Sequence, residues 1–251
     1  MLKVNALKNN IYFPFVKLAT SNLACAISPR SLGNMSYVYA GTENSLDNRR
    51  DFLKNLGVDY RSLVCAKQVH GSSIKYVKEG QQGKGALSDD NSIPDTDALA
   101  TDARNLPLAI FTADCLPIFL YDSLTPAVAL VHAGWKGTRD NITVKTLQLM
   151  QERFGSKISG LYIGFGPAIR SCCYEVGEDF KNYFSTGLIR KGNHSYLDLI
   201  QLNKRQVLEA GACEDNIFDS RICTSCRSAD FFSFRKEGKN CGRMMSIIML
   251  K

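Results

Sequence analysis

The sequence lacks a long apolar run. No segment approaches the roughly 18 consecutive apolar residues that a transmembrane helix needs. The N-terminal MLKVNALKNNIYFPF has neither the apolar stretch nor the small-residue cleavage site of a signal peptide. Internal repeats, low-complexity tracts and long Pro/Gly-rich linkers are also absent, so no segment marks a boundary between domains. These absences predict a cytoplasmic protein with no membrane partner and a single domain over residues 1–251.

Extreme charge is absent too. Lys and Arg outnumber Asp and Glu by 31 to 24, and this net charge of +7 suits phosphate-bearing ligands as well as loose nucleic-acid contacts. No basic run is interleaved with aromatic residues and no zinc-finger or RNA-binding motif is present, so we expect no nucleic-acid partner. The nine cysteines are odd in number, in a long chain without export signals, and we therefore expect reduced thiols.

Hydrophobic patterns of strand and helix period alternate along the chain. Strands are predicted at LVCAKQVHG (63–71), SIKYVKE (73–79), LPLAIFTADCLPIFLYD (106–122), AVALVHAGWKG (127–137), GLYIGFG (160–166) and MMSIIML (244–250). Helices are predicted at 47–57, between 140 and 154, and at 196–211, where Asp198 is a candidate N-cap and Gly211 a terminating residue. Residues 80–95 are predicted to form a surface loop. The mixed order predicts an α+β protein with a mixed β-sheet core and flanking helices.

Histidine is scarce, with three residues in the chain, and two of them follow buried strands next to glycines. His70 lies in VHG and His132 in VHAGWKG, while Cys115 lies in TADCLP, where Pro117 is expected to end regular strand pairing. If the three strand ends converge, two imidazoles and a thiolate provide the nitrogen and sulfur donors that zinc prefers. Three protein ligands leave a fourth position for water or substrate. Copper(II) accepts the same donors and is the competing ion.

Six blocks of this sequence resemble the YfiH family. They are KQVHG (67–71), TDAL (96–99), TADCLPI (112–118), VHAGWKGT (131–138), GPAIRSCCYEVG (166–177), and FFSFRKEG with CGR (231–243). The family was first called laccase-like or polyphenol oxidase and is now associated with purine nucleoside phosphorylase activity. The resemblance extends from about residue 25 to residue 251. It implies a YfiH-like αββα layering and zinc held at the positions of His70, Cys115 and His132.

The resemblance also implies an activity. That activity is phosphorolysis of adenosine, inosine, guanosine and methylthioadenosine, together with hydrolytic deamination of adenosine, and bacterial relatives are linked to peptidoglycan editing. The expected partners are therefore purine nucleosides and phosphate, and we expect a monomer or weak dimer. Two positions depart from the family pattern: Lys136 stands where Arg is usual, and SLGNMS (31–36) replaces a Gly-Gly-Val-Ser stretch. Lys holds a phosphate as a point charge and cannot grip it bidentately, so phosphate affinity is expected to differ.

Further polar residues in these blocks are candidates for chemistry. Asp114 and Asp97 are candidate acids, bases or partners of a metal ligand, although each can instead cap or pair structurally. The candidate phosphate contacts, each of which can equally be a surface charge or an ion-pair member, are Lys67, Lys136, Arg235 and Arg243, with Arg30 and Asn34 as weaker candidates. Trp135 can stack on a purine but is more typical of the core. His194 is expected in a surface loop.

Several alternatives stay open. Cys115 can be a nucleophile with His132 as its base, as in cysteine hydrolases. Copper oxidase chemistry is disfavoured because multicopper sites use more histidines than the three present. A non-enzymatic scaffold would close the zinc site with Asp114 or Asp97. Five of the other cysteines, Cys172, Cys173, Cys223, Cys226 and Cys241, can form a second metal site, a disulfide or reduced buried thiols.

Overall fold

The structure is a computed structural model that describes residues 22–39 and 41–251, together with the backbone of 7–8 and 11–12. Most of the N-terminal segment from which we predicted the absence of a signal peptide lies outside the described residues. Within the described part of the chain, no helix combines the length and the apolar character needed to cross a bilayer.

Fifteen strands and five α-helices are described. The strands are β1 (Leu7–Lys8), β2 (Ile11–Tyr12), β3 (Leu23–Ile27), β4 (Val64–Cys65), β5 (Ile74–Tyr76), β6 (Ala98–Thr101), β7 (Leu108–Thr112), β8 (Leu116–Asp122), β9 (Ala127–Ala133), β10 (Tyr162–Phe165), β11 (Glu175–Val176), β12 (Leu188–Lys191), β13 (His194–Leu197), β14 (Ile217–Asp219) and β15 (Met244–Leu250). The helices are α1 (Ser45–Lys54), α2 (Trp135–Arg139), α3 (Ile142–Phe154), α4 (Leu199–Glu209) and α5 (Phe234–Glu237).

Two six-stranded mixed sheets form the centre of the fold. The β15 sheet has the order β1-β2-β3-β15-β7-β4, the β8 sheet has the order β14-β10-β8-β9-β6-β5, and a small third sheet has the order β11-β13-β12. The two large sheets share one apolar cluster, which contains Ile110 and Ile248 of the β15 sheet with Phe119 and Leu130 of the β8 sheet. The expected α+β class with a mixed sheet core is therefore confirmed.

Helices cover the outer faces of both large sheets. Every residue of β8 and β9 is buried. Since alternate side chains point to opposite sides of a strand, both faces of these strands are covered. Phe119 points between the sheets, whereas Ile118 packs in the cluster that contains Met150 of α3. On the β15 sheet, Phe52 of α1 packs with Ile247. This arrangement of helix, sheet, sheet and helix is the layering that the resemblance implied.

The predicted helices are confirmed with small shifts of their ends. The side chain of Asp198 accepts a hydrogen bond from the Gln201 amide at the start of α4, and Gly211 follows that helix with φ of +98°. The prediction of a loop for His194 is wrong, because this exposed residue lies in β13 and its Nδ1 contacts Glu175 at 2.7 Å. Trp135 is half-buried and packs against Phe180, as expected for a core residue.

Three strand predictions need correction. The run 106–122 is two strands in different sheets, β7 and β8, separated by a turn in which Asp114 has φ of +87°. The strand predicted at 63–71 ends at Cys65, because the side chain of Gln68 replaces backbone pairing by bonding both the amide and the carbonyl of Phe111. Pro117 lies inside β8 opposite His132 and does not end the pairing of β8 with β9. Its carbonyl accepts a hydrogen bond from Gly166, on the side away from β9, so the N–H that proline lacks is not needed for pairing with β9.

Replacement of Leu130 by Ala is expected to destabilise the protein by about 2–5 kcal/mol, because it opens a cavity in the fully buried layer between the sheets. Urea unfolding followed by circular dichroism measures the change. Leu124→Ala is the matched control, since this leucine is 82% exposed in the β8–β9 turn and its truncation should change stability by less than about 0.5 kcal/mol. Equal midpoints for the two variants would contradict the position of the core.

Candidate active site

The three residues proposed as ligands lie together at one end of the sheet pair. His70 lies in the bend that follows β4, Cys115 directly precedes β8, and His132 lies on β9. Their donor atoms all lie within 4.8 Å of one another. The two imidazole rings meet edge to face, with centroids 4.8 Å apart and an interplanar angle of 80°. The fold therefore brings two nitrogens and one sulfur to a single point from positions that are far apart in the sequence.

Asp97 positions both histidines. It is fully buried, and its carboxylate accepts hydrogen bonds from the backbone amides of Val69, His70 and Gly71 at 3.3, 3.0 and 2.7 Å. Its Oδ1 also lies 2.7 Å from Nδ1 of His132, which leaves Nε2 of that ring for another partner. Burial raises the pKa of Asp97, but the hydrogen bond and charge of His132 outweigh it and lower the pKa. The carboxylate therefore stays ionised.

Asp114 holds the turn that presents Cys115. Its φ of +87° places a non-glycine residue in the left-handed region, which costs roughly 1–2 kcal/mol. Three hydrogen bonds to its carboxylate offset that cost: Thr224 Oγ1 at 2.6 Å, Ser233 Oγ at 3.1 Å and the Arg235 amide at 2.7 Å. Both oxygens of Asp114 are thus bonded within the protein.

The thiol and the neighbouring imidazole shift each other's ionisation. Burial raises the pKa of Cys115, but the charges and hydrogen bonds of His132 and His70 outweigh burial and lower it to about 6. For His132, burial lowers the pKa, and the Cys115 thiolate and Asp97 together raise it to about 9. Without a metal, the pair is therefore a thiolate and an imidazolium over the pH range between these values.

Glycines allow the donors to approach each other. A Cβ on Gly134 would lie 3.2 Å from Sγ of Cys115 and 3.4 Å from Cδ2 of His70. A Cβ on Gly137 would lie 2.9 Å from the carbonyl oxygen of Gly71. These two glycines of the second histidine motif are therefore needed for close packing around the donors.

The donor cluster opens into a cavity of about 430 Å³. Its walls combine apolar and aromatic side chains with three cationic groups and two carboxylates. The lining includes Val38, Tyr39, Lys67, Gln68, Asp89, Phe111, Asp114, Ile169, Tyr174, Leu199, Phe234, Arg235 and Arg243 together with the three donors. A cavity of this size, with few polar groups on apolar walls, suits a small organic molecule.

Three of the six predicted substrate contacts line this cavity. Lys67 does so beside Asp89, with Nζ and Oδ2 3.4 Å apart. The guanidinium of Arg243 stacks 3.7 Å above the ring of Tyr39, and its Nη1 donates to the carbonyls of Cys241 and Gly242. Arg235 donates from Nη2 to the carbonyl of Glu175. These bonds use one terminal nitrogen of each guanidinium, so other donors of both forks remain for a ligand.

The other three predicted contacts do not line the cavity. Arg30 forms a two-bond ion pair with Glu237, and Asn34 is buried and donates to carbonyls of its own loop, Ser36 among them. Lys136 is exposed on α2, with Nζ 5.6 Å from the Trp135 ring. Asp97 does not line it either, although it bonds to His70 and His132, which do. Neither Asp97 nor Asp114 belongs to the donor cluster.

The structure adds cavity residues that the sequence did not identify. Gln68, Tyr174 and Phe234 lie inside blocks that were quoted for the resemblance, so the blocks contained their signal although no role was assigned to them. Tyr39 and Asp89 lie outside those blocks. Asp89 reaches the cavity from the loop predicted over 80–95, and that loop also contains the buried residue Ala86.

The fold and the site define a mixed α/β protein with a His-Cys-His donor cluster in a ligand-sized cavity. Residues 28–251 match the family described as multi-copper polyphenol oxidoreductase laccase, and the chain belongs to this family. The predicted membership is therefore confirmed, and the family together with the cluster indicates a metal-binding protein.

Relatives named for an enzymatic activity, and a solved structure, are similar to this chain. Purine nucleoside phosphorylase YlmD of Geobacillus stearothermophilus is 35% identical over 81% of this chain and 77% of its own length. Adenosine deaminase RL5, from an unknown prokaryotic organism, is 32% identical over 82% of each. The crystal structure of the hypothetical protein YfiH of Bacillus licheniformis covers all of both chains with a TM-score of 0.90 and 28% identity.

Replacement of Gly134 by Ala is expected to weaken metal binding. The added methyl would push Cys115 or His70 by a few tenths of an ångström, more than the roughly 0.2 Å that metal-ligand distances tolerate. Competition with a chromophoric chelator measures zinc affinity. Gly160→Ala is the control, because nothing lies within 4 Å of a Cβ there. Equal zinc affinity in both variants would refute the crowding argument.

Proposed function

We propose that this chain is a zinc-dependent purine nucleoside phosphorylase that also deaminates adenosine. The observation that carries the proposal is the His70, Cys115 and His132 cluster at the wall of a cavity that also presents Arg235 and Arg243. Relatives named purine nucleoside phosphorylase and adenosine deaminase support the same pair of reactions. The substrates would be a purine nucleoside with phosphate in the first reaction and adenosine with water in the second.

The donor set fits zinc better than copper. Two imidazoles and one thiolate are common zinc donors. A zinc-bound histidine usually donates the N–H of its other ring nitrogen to a carboxylate or carbonyl, and Asp97 accepts from Nδ1 of His132 in this way. A mononuclear copper site of two histidines and a cysteine usually adds an axial Met or Gln. No Met is among the described residues that line the cavity, and both amide atoms of Gln68 already bond the backbone of Phe111. When bound by the three donors, zinc would polarise a substrate oxygen and make a water molecule more acidic.

The chain's own residues account for substrate binding. Arg235, Arg243 and Lys67 would gather the phosphate dianion, and the two guanidinium groups can each grip it with more than one N–H. Phe111 and Phe234 would provide apolar surface for the purine and ribose. Burial raises the pKa of Tyr174, so its phenol stays protonated and can donate from Oη to a purine nitrogen.

The two aspartates would act by positioning. Asp97 holds the His132 ring and the backbone around His70, whereas Asp114 holds the Cys115 turn and the amide of Arg235. Because Asp97 lies outside the cavity and both Asp114 oxygens accept hydrogen bonds from the protein, neither carboxyl group is placed to donate a proton to the purine. For both residues we therefore propose a positioning role and not the role of acid or base.

Activity assays test the proposal directly. Zinc-loaded protein is incubated with adenosine, inosine, guanosine and methylthioadenosine, with and without phosphate, and the products are separated by chromatography. Base release should require phosphate, and inosine should form from adenosine without it. Cys115→Ala should lower both rates at least about 100-fold because a metal-supplied effect amounts to several kcal/mol. Cys213→Ala, an exposed cysteine far from the cluster in sequence, is the matched control. A rate of base release that does not depend on phosphate, or that is unchanged in Cys115→Ala, would contradict the proposal.

Arg243→Lys should raise the KM for phosphate about 10- to 100-fold while changing the KM for the nucleoside little. A hydrogen bond to a charged group contributes about 1.5–3 kcal/mol, and Lys cannot reproduce the guanidinium fork. Initial rates at varied phosphate measure the effect. Arg190→Lys is the control on exposed β12. An unchanged phosphate KM in Arg243→Lys would remove this residue from the phosphate site.

A second candidate function rests on the ionisation of the same residues. The low pKa of Cys115 beside His132, with Asp97 on Nδ1, is the arrangement of a cysteine hydrolase nucleophile and its base. Removal of the metal separates the two functions. Chelator-treated protein that keeps full activity would favour the hydrolase, and loss of activity that zinc restores would favour the phosphorylase.

A further inference from the structure

A second cluster of metal-type donors lies outside the cavity. It consists of Cys172, Cys173, Cys223 and Cys226, and their four sulfur atoms lie within 4.8 Å of one another. Sγ of Cys226 is 3.6 Å from Sγ of Cys172 and 3.4 Å from Sγ of Cys173. Tetrahedral zinc with Zn–S bonds of about 2.3 Å separates its sulfur ligands by about 3.8 Å. The cluster thus has close to the spacing that a four-cysteine zinc site requires.

The backbone brings the two halves of the cluster together. Ala168 and Cys223 form a parallel bridge, in which the Ala168 amide donates to Ile222 and the Thr224 amide donates to Ala168. Cys172 and Cys173 follow in a tight turn whose amides at positions 173 and 174 both donate to the carbonyl of Arg170. The convergence of four thiols therefore results from backbone pairing between two distant segments.

The environment of Cys223 suits a sulfur that binds a metal. Cys223 is buried while Cys172 and Cys226 are exposed, so an ion can enter from solvent and still be held against the protein.

The arrangement fits a metal better than a disulfide or isolated thiols. Cys226 lies about equally far from Cys172 and Cys173, and a disulfide could join it to one of them alone. Unligated reduced cysteines typically lie singly in an apolar core, whereas these four form one group, two members of which are exposed. Cys241 is excluded from the group, since it is buried and its sulfur contacts Glu237.

We propose that Cys172, Cys173, Cys223 and Cys226 form a structural zinc site. Four protein ligands close the tetrahedron, so this ion would have no open position for substrate. It would fasten the segment that contributes Ile169 and Tyr174 to the cavity onto the segment whose Thr224 bonds Asp114. The zinc site would therefore hold one wall of the cavity beside the turn that presents Cys115.

Metal stoichiometry tests the proposal. Protein purified under reducing conditions is loaded with zinc, freed of excess metal and weighed by native mass spectrometry. We expect two zinc ions per chain in the unaltered protein, one in Cys115→Ala, one in Cys172→Ser/Cys226→Ser, and two in the control Cys213→Ser. A single ion in the unaltered protein, lost in Cys115→Ala, would overturn the proposal. So would recovery of the four cysteines as disulfides with no second ion.

Cobalt substitution identifies the ligands and covers the case in which the double variant does not fold. The near-ultraviolet charge-transfer band of bound cobalt grows with the number of thiolates. Cys115→Ala should therefore keep most of the band, and Cys226→His should keep the ion with a weaker band, because imidazole also binds it. A band that disappears in Cys115→Ala would refute the four-cysteine site, whatever nucleoside assays show.

Discussion

The buried carboxylate of Asp97 is the interaction on which the candidate site depends. This side chain orients the ring of His132 and accepts hydrogen bonds from three consecutive backbone amides around His70. It therefore connects two of the proposed metal ligands, which lie in separate parts of the chain. A fully buried, ionised carboxylate is costly unless hydrogen bonds and opposite charge compensate it, and here three backbone amides and the His132 ring do so. The hydrogen bonds that the buried Asp97 carboxylate requires thereby fix the positions of His70 and His132.

Asp114 performs the corresponding task for the third donor. The turn that it holds is the point at which the chain leaves the β15 sheet and enters the β8 sheet, and Cys115 stands at that crossing. Through Thr224, Ser233 and Arg235, the same carboxylate attaches two further segments, one of which contributes Phe234 and Arg235 to the cavity. The donor cluster and the Arg235 segment are therefore held in place by two carboxylates that bond within the protein.

The sequence predicted the donors well because ligand chemistry is a property of residue type. The two histidines beside glycines and the cysteine of TADCLP could be singled out individually, and the structure brings these three together. The break at Asp114 could not be predicted, since an apolar run on either side looks the same whether it stays in one sheet or changes sheets. The cationic contacts were separated only by tertiary packing: Arg243 and Lys136 look alike as charges, yet one stacks on Tyr39 in the cavity and the other faces solvent.

The position of β15 has a consequence for how the protein is made. This strand lies in the middle of its sheet, between β3 and β7, and pairs Ser246 with both Ile27 and Ile110. Of the strands in that sheet it is the last to leave the ribosome. The edges of β3 and β7 that pair with β15 therefore stay unpaired until β15 has been synthesised. The three residues of the cluster, His70, Cys115 and His132, are synthesised well before that. Closure of the sheet thus follows the synthesis of all its other strands, and long-range pairing makes this step slow.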